Sequence, residues 1–242
     1  MNRSRELAEA IAEDALTLAV LHSRELDQDL VASLREVAFP DNLGLLPVAG
    51  EGQGAWRLAR LAMEGFPQAM TPRELDELAA DFAAIYLTGA YGASPCESVW
   101  LDEDHLAFQG RMFELREIYR QQGLANPRWR HRPDDHLALQ LEFIAFLSRH
   151  ADSAEDWRQL ARFLDEHLLR WVPDFAAKVA RRSATPFYAG LAAVTAAWCE
   201  RLRDVIAELL QEARPTRESV AHPEQKFPLH FHRTRPDSSP GA

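Results

Sequence analysis

Apolar residues recur at helical spacing along almost the whole chain. Leu7, Ile11, Leu18 and Leu21 share one face and predict a first helix; Leu26, Leu30, Leu34 and Val37 predict a second. Over about residues 39–54 the period dissolves into Pro and Gly, which predicts a long loop. A short helix is expected over residues 56–63, closed by Gly65-Phe66-Pro67. The next start is chemically explicit. Thr71-Pro72-Arg73-Glu74 offers a hydroxyl cap, a proline at the first helical position and a Glu three residues after the cap. Leu75, Leu78, Phe82, Ile85 and Tyr86 then form the apolar face of a helix ending near Gly89.

Residues 89–98 (GAYGASPCES) hold two glycines and Pro95 and predict irregular backbone. A helix is expected over residues 103–122, stopping at Gly123 as a C-cap glycine. Another should start at Pro133 and carry Leu137, Leu141, Ile144, Ala145 and Leu147 to about His150. Ser153-x-x-Asp156 opens a helix with Trp157, Leu160, Phe163, Leu164, Leu168 and Trp171 on its apolar side. Pro173 is expected to start a short helix, and Thr185-Pro186 the last, ending near Arg214. No strand alternation or repeat period stands out. Beyond Pro215 the chain is rich in Pro, Ser, His and charge, which predicts a disordered tail. The expected fold is all-α: a single globular helical domain over residues 1–214, followed by a flexible tail over 215–242.

Charge narrows the function. The 242 residues carry 27 basic and 37 acidic side chains, a net charge of −10, which disfavours a nucleic-acid protein and leaves room for cationic partners. At 47% hydrophobic and 26% charged the chain can bury a core. Two distant cysteines, Cys96 and Cys199, form no disulfide framework and no metal spacing, which points to a reducing compartment. The first residues carry no apolar signal core, and no stretch approaches the roughly 20 apolar residues of a membrane span. A cytoplasmic protein without stable membrane insertion is expected.

Catalytic patterns are missing. Neither Glu-x-x-His nor His-Glu-x-x-His occurs, and Gly50-x-Gly52-x-Gly54 follows no strand, so it does not match a phosphate-binding fingerprint. His222, His230 and His232 lie in the tail. No metal, cofactor or catalytic residue is expected.

Two polar segments stand where a purely structural helix would not need them. One is Ser94-Pro95-Cys96-Glu97-Ser98-Val99-Trp100-Leu101-Asp102, the other Pro133-Asp134-Asp135-His136-Leu137 leading into Leu141-Glu142-Phe143. With Tyr119-x-x-x-Gly123-Leu124 between them and Thr185-Pro186-Phe187-Tyr188 after them, they resemble the TorD/DmsD/NarJ family of redox-enzyme maturation chaperones, most closely the DmsD/TorD branch. The resemblance covers about residues 74–210.

That resemblance implies an all-helical cytoplasmic chaperone with no enzymatic activity. Its partners would be the twin-arginine signal peptide, and the apo form, of a molybdopterin oxidoreductase, whose cofactor insertion it assists and whose export it delays until the enzyme is folded. The family's Asp-His pair falls on Asp135 and His136, its apolar contacts on Phe82, Ile85 and Tyr86, and its loop proline on Pro95; Ser98 and Trp100 also match. Cys96 departs from the aromatic usual after that proline. A monomer or an exchanged dimer is implied. The residues are also consistent with the chemistry: arginines need carboxylates and the apolar stretch of a signal needs a groove.

Plainer readings stand beside this one. Asp134 and Asp135 would serve equally as caps of a helix starting at Pro133, and Phe82, Ile85, Tyr86 and Trp100 as ordinary core. Two other functions also fit an acidic helical protein: an enzyme or nucleotide-dependent regulator with a pocket near residues 89–102, or a plain adaptor for a folded partner.

Overall fold

A computed structural model of the protein describes residues 2–48, 52–215 and 220. Among the described residues the regular structure is helical, with one isolated antiparallel bridge, Cys96 to His136, and no strand. The tail expected over 215–242 lies, but for Pro215 and Val220, outside the described residues.

The helices are α1 (Asn2–Leu21), α2 (Gln28–Glu36), α3 (Gln53–Glu64), α4 (Pro72–Phe82), α5 (Ser98–Leu101), α6 (Gly110–Gln121), α7 (Leu137–Arg149), α8 (Ala154–Phe163), α9 (Leu169–Arg182) and α10 (Pro186–Leu210). Wide π-helical turns, Ala83–Leu87 and Leu164–Leu168, prolong α4 and join α8 to α9. Helix α1 packs on α7, while α3 and α9 pack on α10. A single apolar cluster runs through them from Ala8 to Ile206 and includes the fully buried Trp171 and Trp198. Gly190 sets the approach of α10 to α3: a Cβ there would lie 2.8 Å from the Ala59 Cα.

Local signals explain many boundaries. The Thr71–Glu74 and Ser153–Asp156 pairs both form reciprocal capping boxes. At the end of α6, Gly123 has φ of 72°; its N–H donates to Arg120 O while the Leu124 N–H donates to Tyr119 O. This is a Schellman stop, which needs the left-handed conformation glycine accepts most readily.

Other expectations need correction. Residues 103–109 are not helical: His105 and Phe108 have φ of 51° and 65°, which a right-handed helix cannot hold, and Asp102 Oδ2 accepts from the Arg111 N–H near the start of α6. Helix α7 starts at Leu137, not Pro133, because the backbone of residues 135–137 is paired with residues 95–97 instead. Pro173 lies inside α9 rather than at a helix start. Its ring faces the carbonyl four residues back, on Leu169, whose ψ of −11° turns that carbonyl away from ideal helix geometry just after the π turn. Helix α10 ends at Leu210, where Gln211 turns left-handed, rather than near Arg214.

The loop over residues 37–48 is tied down by one buried acid. Asp14 of α1 accepts from the backbone N–H groups of Gly44 (2.7 Å) and Leu45 (2.9 Å) and from Trp198 Nε1 of α10 (2.9 Å). Burial raises its pKa, and these three donors work against that rise.

Candidate functional site

Two segments far apart in sequence are zipped together where α5 and α7 begin. The Glu97 N–H donates to Asp135 O (3.1 Å) and the Leu137 N–H to Pro95 O (2.8 Å). Side chains lock the junction. Asp135 Oδ2 accepts from the Ser98 N–H (2.9 Å) and from Ser98 Oγ (2.6 Å). Gln140 Nε2 donates to Asp135 O and to Glu97 Oε2, both at 3.0 Å. His167 Nδ1 donates to Glu97 Oε1 at 3.0 Å. Glu97, Ser98, Asp135 and Gln140 have no solvent exposure, and His167 almost none. A buried polar network of this kind is stable only when its members are paired.

Asp135 keeps one atom apart: its Oδ1 is buried and makes no hydrogen bond among the described residues. Burial raises the pKa of this carboxyl, against the two bonds from Ser98. His136 caps α7, its Nδ1 accepting from the Ala138 N–H at 3.1 Å. Burial, with Arg132 and His22 nearby, depresses its pKa to about 3, so the ring is neutral and Nε2 carries the proton. For His167, burial opposes the charge, but the Glu97 carboxylate outweighs it and the pKa rises.

Beside the junction lies an aromatic cluster. Tyr86 sits against Phe82 (ring centroids 4.8 Å), His136 (6.4 Å) and Tyr188 (6.2 Å). Its hydroxyl meets His22 Nδ1 at 2.6 Å, and His22 Nε2 meets Thr195 Oγ1 at 2.8 Å. The tautomer follows. Thr195 Oγ1 donates its only proton to Leu191 O, so it accepts from His22 Nε2–H, and Nδ1 accepts from the tyrosine. Burial holds the His22 pKa down to about 3, consistent with a neutral ring. Trp100 Nε1 donates to Ser94 O (2.9 Å), its ring stacks on Trp171 at 6.5 Å, and Lys178 Nζ lies 5.5 Å from its centre.

The family model for the nitrate reductase delta subunit matches residues 52–177, a span that contains both zipped segments. The chain belongs to the TorD/NarJ family. Among similar proteins, Chaperone protein TorD of Vibrio cholerae serotype O1 (strain ATCC 39541) is 32% identical over 144 residues, 56% of this chain and 65% of the relative. That of Shewanella pealeana is 33% identical over 136 residues, 53% and 60% of the two chains. That of Shewanella sp. (strain ANA-3) is 29% identical over 190 residues, 76% and 88%. The chain thus spans somewhat less than two thirds of the first two relatives.

Within this family frame, the eight residues singled out in the sequence fall into two neighbouring groups. Ser98 and Asp135 bond directly, with Pro95 and His136 on the same paired backbone. Phe82, Tyr86 and His136 share the aromatic cluster, and Ile85 is fully buried on the same turn. Trp100 lies at the edge, half-buried. Asp134 goes elsewhere: it accepts from Arg116 at 2.7 Å. Sequence reasoning missed Glu97, Gln140 and His167 as one unit, and it missed Asp81. That buried carboxylate accepts from Tyr91 Oη, the Ala184 N–H and both the N–H and Oγ1 of Thr185, tying residue 91 to the start of α10. The available signal was an Asp on the apolar face of α4, next to Phe82.

Among the described residues no His, Cys, Asp and Glu cluster suits a metal ion, and no helix is long and apolar enough to cross a membrane. Cys96 is buried and its thiol is pushed well up by burial, so it is a small packed side chain rather than a nucleophile.

Proposed function

We propose that this chain is a redox-enzyme maturation chaperone that binds the twin-arginine signal peptide, and the apo form, of a molybdopterin oxidoreductase in the cytoplasm before export. The observation that carries the reading is the family match over residues 52–177, joined to curated relatives named as TorD chaperones. Asp135 gives it a chemical core. Its Oδ1 is a buried acceptor without a donor, and burial raises its pKa. An incoming guanidinium would fill that valence and stabilise the charged carboxylate at once. Ser98 holds the other oxygen and fixes the direction of the free one, while His136 caps α7 and so sets the backbone on which Asp135 is carried. Phe82, Ile85 and Tyr86, with Pro95 and Trp100, would supply the apolar side for the uncharged stretch of the signal. Because Asp135 has no solvent exposure in this structure, binding includes a local opening that uncovers Oδ1 while the Ser98 bonds to Oδ2 persist. No catalytic step and no cofactor is part of this function.

The test is titration with a synthetic twin-arginine peptide alongside melting of the same samples. Asp135→Ala should weaken binding about 10- to 150-fold, the loss of one charge-assisted contact of ~1.5–3 kcal/mol. Asp135→Asn, which keeps the size and one acceptor, should still lose most of that affinity while melting close to the parent. Unchanged affinity in both variants would overturn the assignment of Asp135.

A further inference from the structure

Between Glu117 and Asp134 the chain contains no acidic residue, yet it carries Arg128-Trp129-Arg130-His131-Arg132 in a protein whose net charge is −10. This basic turn is built, not loose. Asn126 Nδ2 donates to Arg132 O (2.8 Å), Asn126 Oδ1 accepts from the Arg128 N–H (3.0 Å), and the His131 and Arg132 N–H groups both donate to Arg128 O. Arg116, anchored on the buried Asp134 at 2.7 Å, lies 4.5 Å from the centre of the Trp129 ring and orders it. Arg132 is fastened to Ser23 O (3.1 Å). Arg128 and Arg130 are exposed, and among the described residues neither guanidinium meets a carboxylate; Arg130 faces only the Trp129 ring at 5.4 Å.

Beside the turn is a cleft of about 580 Å³ lined by Leu139, Phe143 and Phe146 of α7 together with Leu124, Tyr119 and Arg128. The one acid in it, Glu142, faces Arg132 across the cleft and offsets that arginine alone. Among the described residues, then, Arg128, which lines the cleft, and Arg130, two residues along the same turn, meet no carboxylate, beside a partly apolar hole large enough for one or two side chains. Arginine beside a pocket walled by tyrosine and phenylalanine, as Arg128 is here, belongs to the combinations that dominate binding energy at protein surfaces.

We infer that the turn of residues 128–132 and the cleft beside it form a docking site for an acidic, apolar-containing surface segment of a partner protein, separate from the Asp135 site. Charge decides the occupant. Unpaired guanidiniums recruit carboxylates bidentately and repel a cationic segment, so a twin-arginine signal is the wrong ligand for this face. Taking the partner to be the client enzyme, so that the acidic segment belongs to its folded body, rests on the chaperone reading; the acidic chemistry of the site does not.

The experiment uses the full chain and three labelled synthetic peptides: an acidic one with two Phe residues among Asp and Glu, the same peptide with Ala for Phe, and a twin-arginine peptide. The parent should bind the acidic Phe peptide at least tenfold more tightly than its Ala counterpart. R128E/R130E should lose at least tenfold for that peptide and none for the twin-arginine peptide, with an unchanged melting temperature because both side chains are exposed. Should R128E/R130E melt early, Arg128→Gln with Arg130→Gln provides the same comparison without charge reversal. Equal binding of the two acidic peptides would show charge attraction without a cleft and overturn the site; so would charge-reversed protein that binds like the parent. Failure of the parent to bind the twin-arginine peptide would count against the chaperone reading and leave this site standing.

Discussion

Pro133 separates two regions that treat charge in opposite ways. On its C-terminal side, Asp134 and Asp135 turn inward with Glu97, and their carboxylates meet Arg116, Ser98, and Gln140 with His167, respectively. On its N-terminal side, Arg128 and Arg130 stand exposed, and among the described residues neither meets a carboxylate. The inward acids hold two distant pieces of chain together; the outward cations hold no carboxylate among the described residues. In a folded protein a buried charge needs partners to survive, whereas an exposed one is free to serve an encounter. The contrast can be broken at four points.

The largest effect is expected at Glu97. Glu97→Ala removes the shared partner of His167 and Gln140 and leaves both buried, which should cost about 3–5 kcal/mol in urea unfolding. Glu97→Gln keeps an acceptor and should cost clearly less. A loss below about 1 kcal/mol for the alanine variant would mean that the network contributes little.

The second effect is on pH dependence. His22 and His136 have folded pKa values near 3 because burial disfavours the imidazolium. Their unfolded values are ordinary, about 6.5, so below that pH the unfolded chain takes protons that the folded one refuses. Stability is therefore complete above 6.5 and is lost as pH falls towards 3, about 2 kcal/mol for each ring by pH 5. His167 is shifted up and contributes the other sign, as do the raised carboxyls of Asp14 and Asp135, which favour the folded state as pH falls. The net expectation between pH 7 and pH 5 is a fall of about 2–4 kcal/mol, read from urea midpoints. His136→Asn, which keeps a capping acceptor, should remove about half of the two-ring loss. A midpoint that holds steady or rises on acidification would contradict neutral, buried rings.

These networks also mark the limit of what could be read from the chain. Helix starts and stops whose chemistry is local were legible: Thr71 with Glu74, Ser153 with Asp156, and Gly123 beyond α6. So were the all-α class and the segments that carry the family resemblance. The failures came where a distant partner decides. Asp134 and Asp135 look like first-turn caps after Pro133, but backbone pairing with residues 95–97 displaces the helix, and His136 becomes the cap. Glu97 lies 70 residues from His167, and Ser98 lies 37 from Asp135, so no local pattern announces either contact. The non-helical stretch over residues 103–109 lacks any proline or glycine before Gly110; only the left-handed turns at His105 and Phe108 reveal it.

A third, intermediate effect is expected at the link between the two regions. Arg116 touches both, pairing with buried Asp134 and lying over Trp129. Arg116→Ala should cost about 1–3 kcal/mol, because Asp134 loses its charged partner while its carboxylate stays 1% exposed. It should also free the Trp129 ring, red-shifting and weakening the tryptophan emission contributed by that residue. Trp129→Phe, tested as the background, identifies that contribution. If stability falls but the emission does not change, the cation over the ring is not what orders it.

The smallest effect is the one that completes the contrast. Arg128→Gln with Arg130→Gln should change stability by no more than about 0.5 kcal/mol, since both are exposed and neither guanidinium holds a carboxylate among the described residues. The sign is worth following. Removing two positive charges takes the net charge from −10 to about −12, which increases overall self-repulsion, but it also relieves the crowding of Arg128, Arg130 and Arg132 within five residues. Salt separates the two contributions, because neighbours along one turn lie within the screening length of about 10 Å at 0.1 M, whereas charges spread over the whole surface lie mostly beyond it. At low salt the double variant should match or slightly exceed the parent, and any gain should fade as salt rises. A loss of 2 kcal/mol or more would show that the basic turn supports the fold. The outward cations would then resemble the inward acids, and their availability to a partner would be gone.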